Sequence, residues 1–153
     1  MEKQQSVSEL VESLVQGTTY QMLEAAQSVA VYGDDAVSPV ATLLASSERE
    51  TRWRAAVALE RIGAPAVDVL VVAAKHDDYQ VRVPAIWALE HIGDDRALDS
   101  LLANLNGENE CCRWMAAAAL SKIGDESARA AVETAFADDP AGRGIVEELI
   151  EGS

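Results

Sequence analysis

At 153 residues, with a net charge of −14 and an isoelectric point near 4.4, the chain has the length of one domain and a strongly acidic surface. That balance argues against a nucleic-acid partner, which needs Lys and Arg clustered on one face, and equally against an anionic membrane. Hydrophobic residues make up 49% but aromatics only 5%, so Ala, Val, Leu and Ile must form the core, which suits closely packed helices.

The first segment, residues 1–33, closes on AQSVAVYG at 26–33. Three later segments close in the same way: ALERIG at 58–63, ALEHIG at 88–93 and ALSKIG at 119–124. The closing residues Gly33, Gly63, Gly93 and Gly124 are 30, 30 and 31 residues apart, the period of a repeat array. In the second segment, residues 34–63, the Asp34-Asp35 turn leads into a helix over about 37–46. The Ser46-Ser47 turn follows, and then a helix with the apolar stripe Thr51, Ala55, Ala58, Leu59 and Ile62. Residues 64–93 repeat this plan with a helix over about 64–75, a His76-Asp77-Asp78 turn and a second helix that carries Pro84 in its first turn. Residues 94–124 follow with Asp94-Asp95, a helix over about 97–106, the Asn106-Gly107 turn and a last full copy of the motif. The final segment, 125–153, places a helix over about 128–137, breaks at Asp138-Asp139-Pro140 and ends on IVEELIEGS.

Each closing Gly stands where a left-handed helix cap is wanted, and the acids that follow favour the start of the next helix. The two ends depart from the pattern, as terminal caps do: Met22 takes the place that Arg has elsewhere, and Tyr32 replaces Ile before Gly33. The reading is therefore one domain over 1–153, all-α, with units at about 1–33, 34–63, 64–93, 94–124 and 125–153.

Arg52, Arg82 and Arg113 each stand 11 residues before a closing Gly. With TRWRAAVALERIG, VRVPAIWALEHIG and CRWMAAAALSKIG, they resemble the HEAT-like repeats of phycobilisome (bilin) lyases over residues 34–124, and more loosely over the ends. The resemblance implies a right-handed α-α superhelix of about five helix pairs, in which the second helix of each pair lines the concave face. It also implies that the Arg series pairs with acids between repeats and fixes stacking register, Asp77, Asp78, Glu48 and Glu108 being the available acids.

The tryptophans suggest the functional surface. With 100° per residue, Trp53 and position 57 fall roughly opposite the core stripe of their helix. Trp114 is equivalent to Trp53, and Trp87 to Val57. Arg54, Arg61, Tyr79, Val83, His91, Met115 and Lys122 flank them. Trp, Tyr, Met and Arg are enriched at protein interfaces, so this row is the candidate partner-binding face, packing between repeats being the alternative role for the indoles.

Catalytic and metal signals in the sequence are thin. His76 and His91 are the only histidines, and neither has the three or four convergent ligands a metal requires. Glu90-His91 is a single, reversed pair, unlike the repeated His-Glu pairs of HEAT-like di-iron hydroxylases. Adjacent Cys111 and Cys112 are poorly placed to form a disulfide with each other and read as the start of a helix. With no leader-like segment in residues 1–20 and no run of about 20 apolar residues, a cytoplasmic location is expected. The expected function is a non-catalytic scaffold that binds a protein or peptide without a cofactor. The alternatives are a lyase- or chaperone-like subunit assisting bilin-type cofactor attachment, and self-association into a homodimer through the Trp row.

Overall fold

The computed structural model describes residues 5–152, so residues 1–4 and 153 of the expected end units lie outside the described residues. Ten α-helices and no strand occur among the described residues. They are α1 (Val7–Gln16), α2 (Thr19–Tyr32), α3 (Asp34–Ala41), α4 (Arg49–Ile62), α5 (Val67–Ala73), α6 (Tyr79–Ile92), α7 (Leu98–Leu105), α8 (Glu110–Ile123), α9 (Glu126–Ala135) and α10 (Pro140–Glu151). One-turn 3₁₀ segments extend α3 at its end and precede α5 and α7. The fold class is the expected all-α HEAT-like one, with ten helices making five successive pairs.

The chain divides into two compact units, residues 1–69 and 70–153. In the first, α1 packs on α2, α2 lies beside α4, and α3 packs on α4. Its core is built from Leu10, Leu14, Ala25, Ala26, Val29, Val40, Ala55, Ala58 and Leu59. In the second, α6 lies beside α8 and α8 beside α10, while α7 packs on α8 and α9. Here Ala85, Ala88 and the run Ala116 to Ala119 are buried with Ile86, Leu89, Leu101, Leu105 and Leu120. Alanine keeps the helices close, and the branched side chains fill the space between them.

The acids at the junctions act as helix caps. Asp78, Asp94, Asp125 and Asp139 accept from the main-chain N–H of Gln80, Arg96, Ala128 and Gly142 at 2.9–3.0 Å. Asn109 does the same for Cys112 at 3.0 Å. At α2, Thr18 and Gln21 form a reciprocal capping box. Each cap contributes about 1 kcal/mol.

Three expectations need correction. Among the described residues, the Arg series pairs with no acid. Arg52 Nη1 donates to the carbonyls of Ser46 and Ser47 at 2.9 and 3.2 Å, and Arg82 Nη1 to those of His76 and Asp77 at 2.8 and 3.1 Å. Arg113 bonds the carbonyls of Leu105 and Ala135, both at 3.3 Å, and its guanidinium lies 5.1 Å from the centre of the Phe136 ring. The series therefore satisfies the carbonyls that a helix leaves unpaired where it ends, which a fork of N–H donors does better than a point charge.

Second, Pro84 is the sixth residue of α6 and lies beyond its first turn; it is buried, which its apolar ring permits. Third, the closing glycines do not share one conformation. Gly93 has φ 76° and ψ 23°, a left-handed cap, whereas Gly63 has φ 81° and ψ −133°, in territory almost reserved for glycine. Gly124 is extended at φ −75°, and it is small for another reason: a Cβ there would overlap Ala128 Cβ and the Leu120 carbonyl oxygen.

Two substitutions separate these requirements. Gly63→Ala is expected to cost about 1–3 kcal/mol of unfolding free energy. Gly93→Asn is expected to cost less than about 1 kcal/mol, because Asn tolerates the left-handed region. Denaturant titration of both variants checks this, and equal losses would contradict the assignment of distinct backbone conformations.

Candidate functional site

Each unit carries its own outward residues on its second helices. In the first unit, α4 presents Trp53 and Val57, both partly exposed. Arg61 is exposed and pairs with the adjacent Glu60 at 2.7 Å. Arg54 turns away from this row: its side chain is 11% exposed, and Nη1 donates to the carbonyls of Leu14 and Gly17 at 3.0 and 2.6 Å. Its other terminal nitrogen meets Glu50 at 2.7 Å, so Arg54 ties the end of α1 to α4.

The neighbouring α2 bears apolar residues that sequence reasoning missed. Tyr20, Leu23 and Val31 are 71%, 41% and 76% exposed. The repeat alignment holds the signal, because Leu23 stands 10 residues before Gly33 as Trp53 stands 10 before Gly63, and Val31 corresponds to Arg61.

In the second unit, Val83 and Trp87 on α6 and Trp114 and Met115 on α8 are partly exposed. Tyr79, at the start of α6, is 46% exposed. The Trp87 indole lies against the exposed His91 ring, with centroids 4.4 Å apart at a 30° tilt. His91 Nδ1 lies 2.8 Å from the Trp87 carbonyl, which places a proton on that nitrogen and fixes the ring over the indole. Lys122 of α8 reaches Glu90 of α6 at 2.8 Å, tying the two helices where the Glu90 side chain is only 9% exposed. The row in this unit is thus an indole-rich strip with its charges in matched pairs.

Among the described residues, no three His, Cys, Asp or Glu side chains are grouped to hold a metal ion. His76 serves its turn, its Nδ1 accepting from the Asp78 N–H at 3.0 Å. Arg96 beside Asp94 holds that carboxyl below its ordinary range. No helix among the described residues is long and apolar enough to cross a membrane.

Cys111 is exposed and Cys112 buried, and both are free thiols. Burial pushes the Cys111 thiol up, and the neighbouring Cys112 adds to the effect. The thiolate is the nucleophile, so this site is the reverse of an activated one. Cys111 is expected to alkylate more slowly than free cysteine at pH 7.5 and to accelerate as pH rises, with Cys112 reacting only in denaturant. Mass-resolved iodoacetamide labelling checks both, and rapid modification at neutral pH would contradict them.

HEAT repeats match residues 37–110 and 67–150. Among curated proteins, none matches the sequence significantly. Of solved structures, the complex of CpcE and CpcF of phycocyanin lyase from Nostoc sp. PCC7120 is similar with a TM-score of 0.69 and 19% identity, covering 95% of this chain and 97% of that one. A designed armadillo repeat protein in complex with the peptide (KR)4 is similar with a TM-score of 0.54 and 20% identity, covering 95% and 80%. At these identities the two structures speak to fold alone. The helix pairs, their 30-residue period and the matches over residues 37–150 lead to one conclusion: the chain belongs to the HEAT-repeat family.

Proposed function

We propose that this protein is a non-catalytic interaction module that binds a protein or peptide through the outward rows of its second helices. The observation that carries the reading is the strip in the second unit, where Trp87, Trp114, Val83 and Met115 stay partly exposed on neighbouring helices. Large apolar side chains left half-covered on a soluble scaffold are the usual anchors of an interface. In the first unit, Leu23 and Val31 of α2 with Trp53 and Val57 of α4 offer a comparable row. Arg61 and Lys122 are each neutralised by a glutamate, so affinity at either row would come mainly from apolar burial, with Tyr79 and His91 at the edge. The similar structures, each a complex with a protein or peptide, support a macromolecular partner.

The test is capture of partners from a lysate of the source organism by wild type and by two variants, Trp53→Leu and Trp87→Leu/Trp114→Leu. Leucine retains part of the packing, and circular dichroism confirms that helicity is unchanged. A partner held by wild type is expected to weaken about 30-fold or more in the variant of the row it uses, a loss of about 2 kcal/mol. Equal retention by all three folded baits would assign the indoles to packing and remove this reading.

The similarity to the phycocyanin lyase complex favours one second reading, a lyase- or chaperone-like subunit that assists attachment of a bilin-type cofactor. It predicts a saturable change in visible absorption when a linear tetrapyrrole is titrated into the protein together with its partner chain. A spectrum equal to the sum of the components would exclude it.

A further inference from the structure

In the second unit a groove of about 680 Å³ opens between α9 and α10, and no residue of the Trp rows lines it. Earlier in this unit the packing is tight: α7 and α8 meet directly, and Asn104 Nδ2 of α7 donates to the Ala74 carbonyl, just past α5, at 2.8 Å. By contrast, α9 and α10 each pack on α8 and scarcely touch one another. The reason lies in α9, ESARAAVETA, whose one branched aliphatic residue is Val132. Alanine at its other inward positions fills too little volume to close the pair.

Two positions identify the groove as an uncovered part of the core. Val132 stands four residues after the buried Ala128, as Val40, Leu70 and Leu101 stand four after the buried Ala36, Ala66 and Ala97. Those three are fully buried, whereas Val132 is partly exposed. Ile150 stands 11 residues after Asp139, the residue that precedes its helix, as Leu59, Leu89 and Leu120 stand 11 after Glu48, Asp78 and Asn109. Those leucines are also fully buried, and Ile150 is partly exposed. Both open positions line the groove, together with the buried Phe136 and Val146.

Charge indicates what would cover them. Residues 125–153 hold eight acids against Arg129 and Arg143, a net −6 of the chain's −14. Glu133 of α9 and Glu147 of α10 are exposed on the two walls, and neither forms an ion pair among the described residues. Arg143, the one cation in the lining, is engaged with the Phe136 carbonyl at 3.4 Å. A second copy of this chain, itself at −14, would bring like charge to the rim. The walls set the form of the occupant: α9 and α10 have 10 and 12 residues, about 15 and 18 Å at 1.5 Å per residue. An apolar groove of this length between two helices suits the apolar stripe of a third, and unpaired acids on both walls suit Lys or Arg beside that stripe.

We propose that this groove docks a basic amphipathic helix of another protein, its Leu or Ile side chains covering Val132 and Ile150 while flanking Lys or Arg meet Glu133 and Glu147. The site shares no residue with the Trp rows, so it stands or falls independently of them.

The probe is an amidated peptide of about 14 residues with Leu at i, i+3, i+4 and i+7 spacing and Lys on both flanks. Titrated into the full, isotopically labelled chain, it is expected to shift the Val132, Val146 and Ile150 methyl signals saturably. Two comparison peptides, one with the same residues in scrambled order and one with Glu in place of Lys, are expected to bind about tenfold more weakly or worse. The double variant Glu133→Gln/Glu147→Gln, at exposed positions, should weaken binding about fivefold. Ile150→Arg should weaken it about tenfold or more, with circular dichroism confirming helicity. If that variant fails to fold, the glutamate variant still decides the matter. Trp87→Leu/Trp114→Leu should bind the probe as wild type does. Absence of saturation by about 1 mM peptide would overturn the proposal. So would equal binding of the scrambled peptide, shifts centred on Trp87 and Trp114 instead of the groove, or an affinity unchanged in the glutamate variant.

Discussion

The ends of the short helices impose the constraint on which this architecture depends. A helix leaves its last carbonyls without internal partners, and a stack of brief helices multiplies such ends. Here side chains from the following helix or from a neighbouring one supply missing donors. Arg52 and Arg82 clamp the turn just before their own helix, while Arg113 reaches both its own turn and the end of α9. Arg54 does this for α1 and Arg143 for the end of α9, whose Phe136 carbonyl it meets at 3.4 Å. Asp and Asn caps satisfy several of the opposite helix ends, which accounts for part of the acidic composition. Between ends held in this way, alanine-rich faces approach closely and the larger side chains close the core.

Much of this was legible in the sequence because the repeat reports its own period. The closing glycines, the apolar stripe and the turn residues pointed to helix pairs over residues 34–124, and the HEAT-repeat matches agree with a repeat array there. What escaped was the direction of individual polar bonds. An Arg near an Asp in the sequence suggests an ion pair, yet a main-chain carbonyl is invisible in sequence and competes well for a guanidinium. Arg54 shows the same difficulty: its equivalents Pro84 and Met115 cannot make its contacts, so its role belongs to one repeat. The glycines resemble one another as letters while meeting different demands, a positive φ at Gly63 and Gly93 and close approach at Gly124.

The candidate surface was half legible. Helical periodicity placed the three indoles off the core stripe, and each is partly exposed. Periodicity does not say how far the adjacent helix covers an outward residue, which depends on the interaxial distance. Among the described residues, the most exposed large apolar side chains, Val31, Val72 and Tyr20, accordingly lie on α2 and α5 rather than on the Trp-bearing helices.

The bond from Asn104 to the Ala74 carbonyl spans 30 residues, one full period. Its acceptor belongs to the peptide backbone, so it does not depend on which side chain occupies that position. The same holds for the carbonyls gripped by the arginines. A copied repeat therefore arrives with its acceptors already in place, whatever its residues at those positions have become. Tandem duplication can lengthen such a chain without two positions having to change together, and the inner turns are free to diverge while the stacking survives.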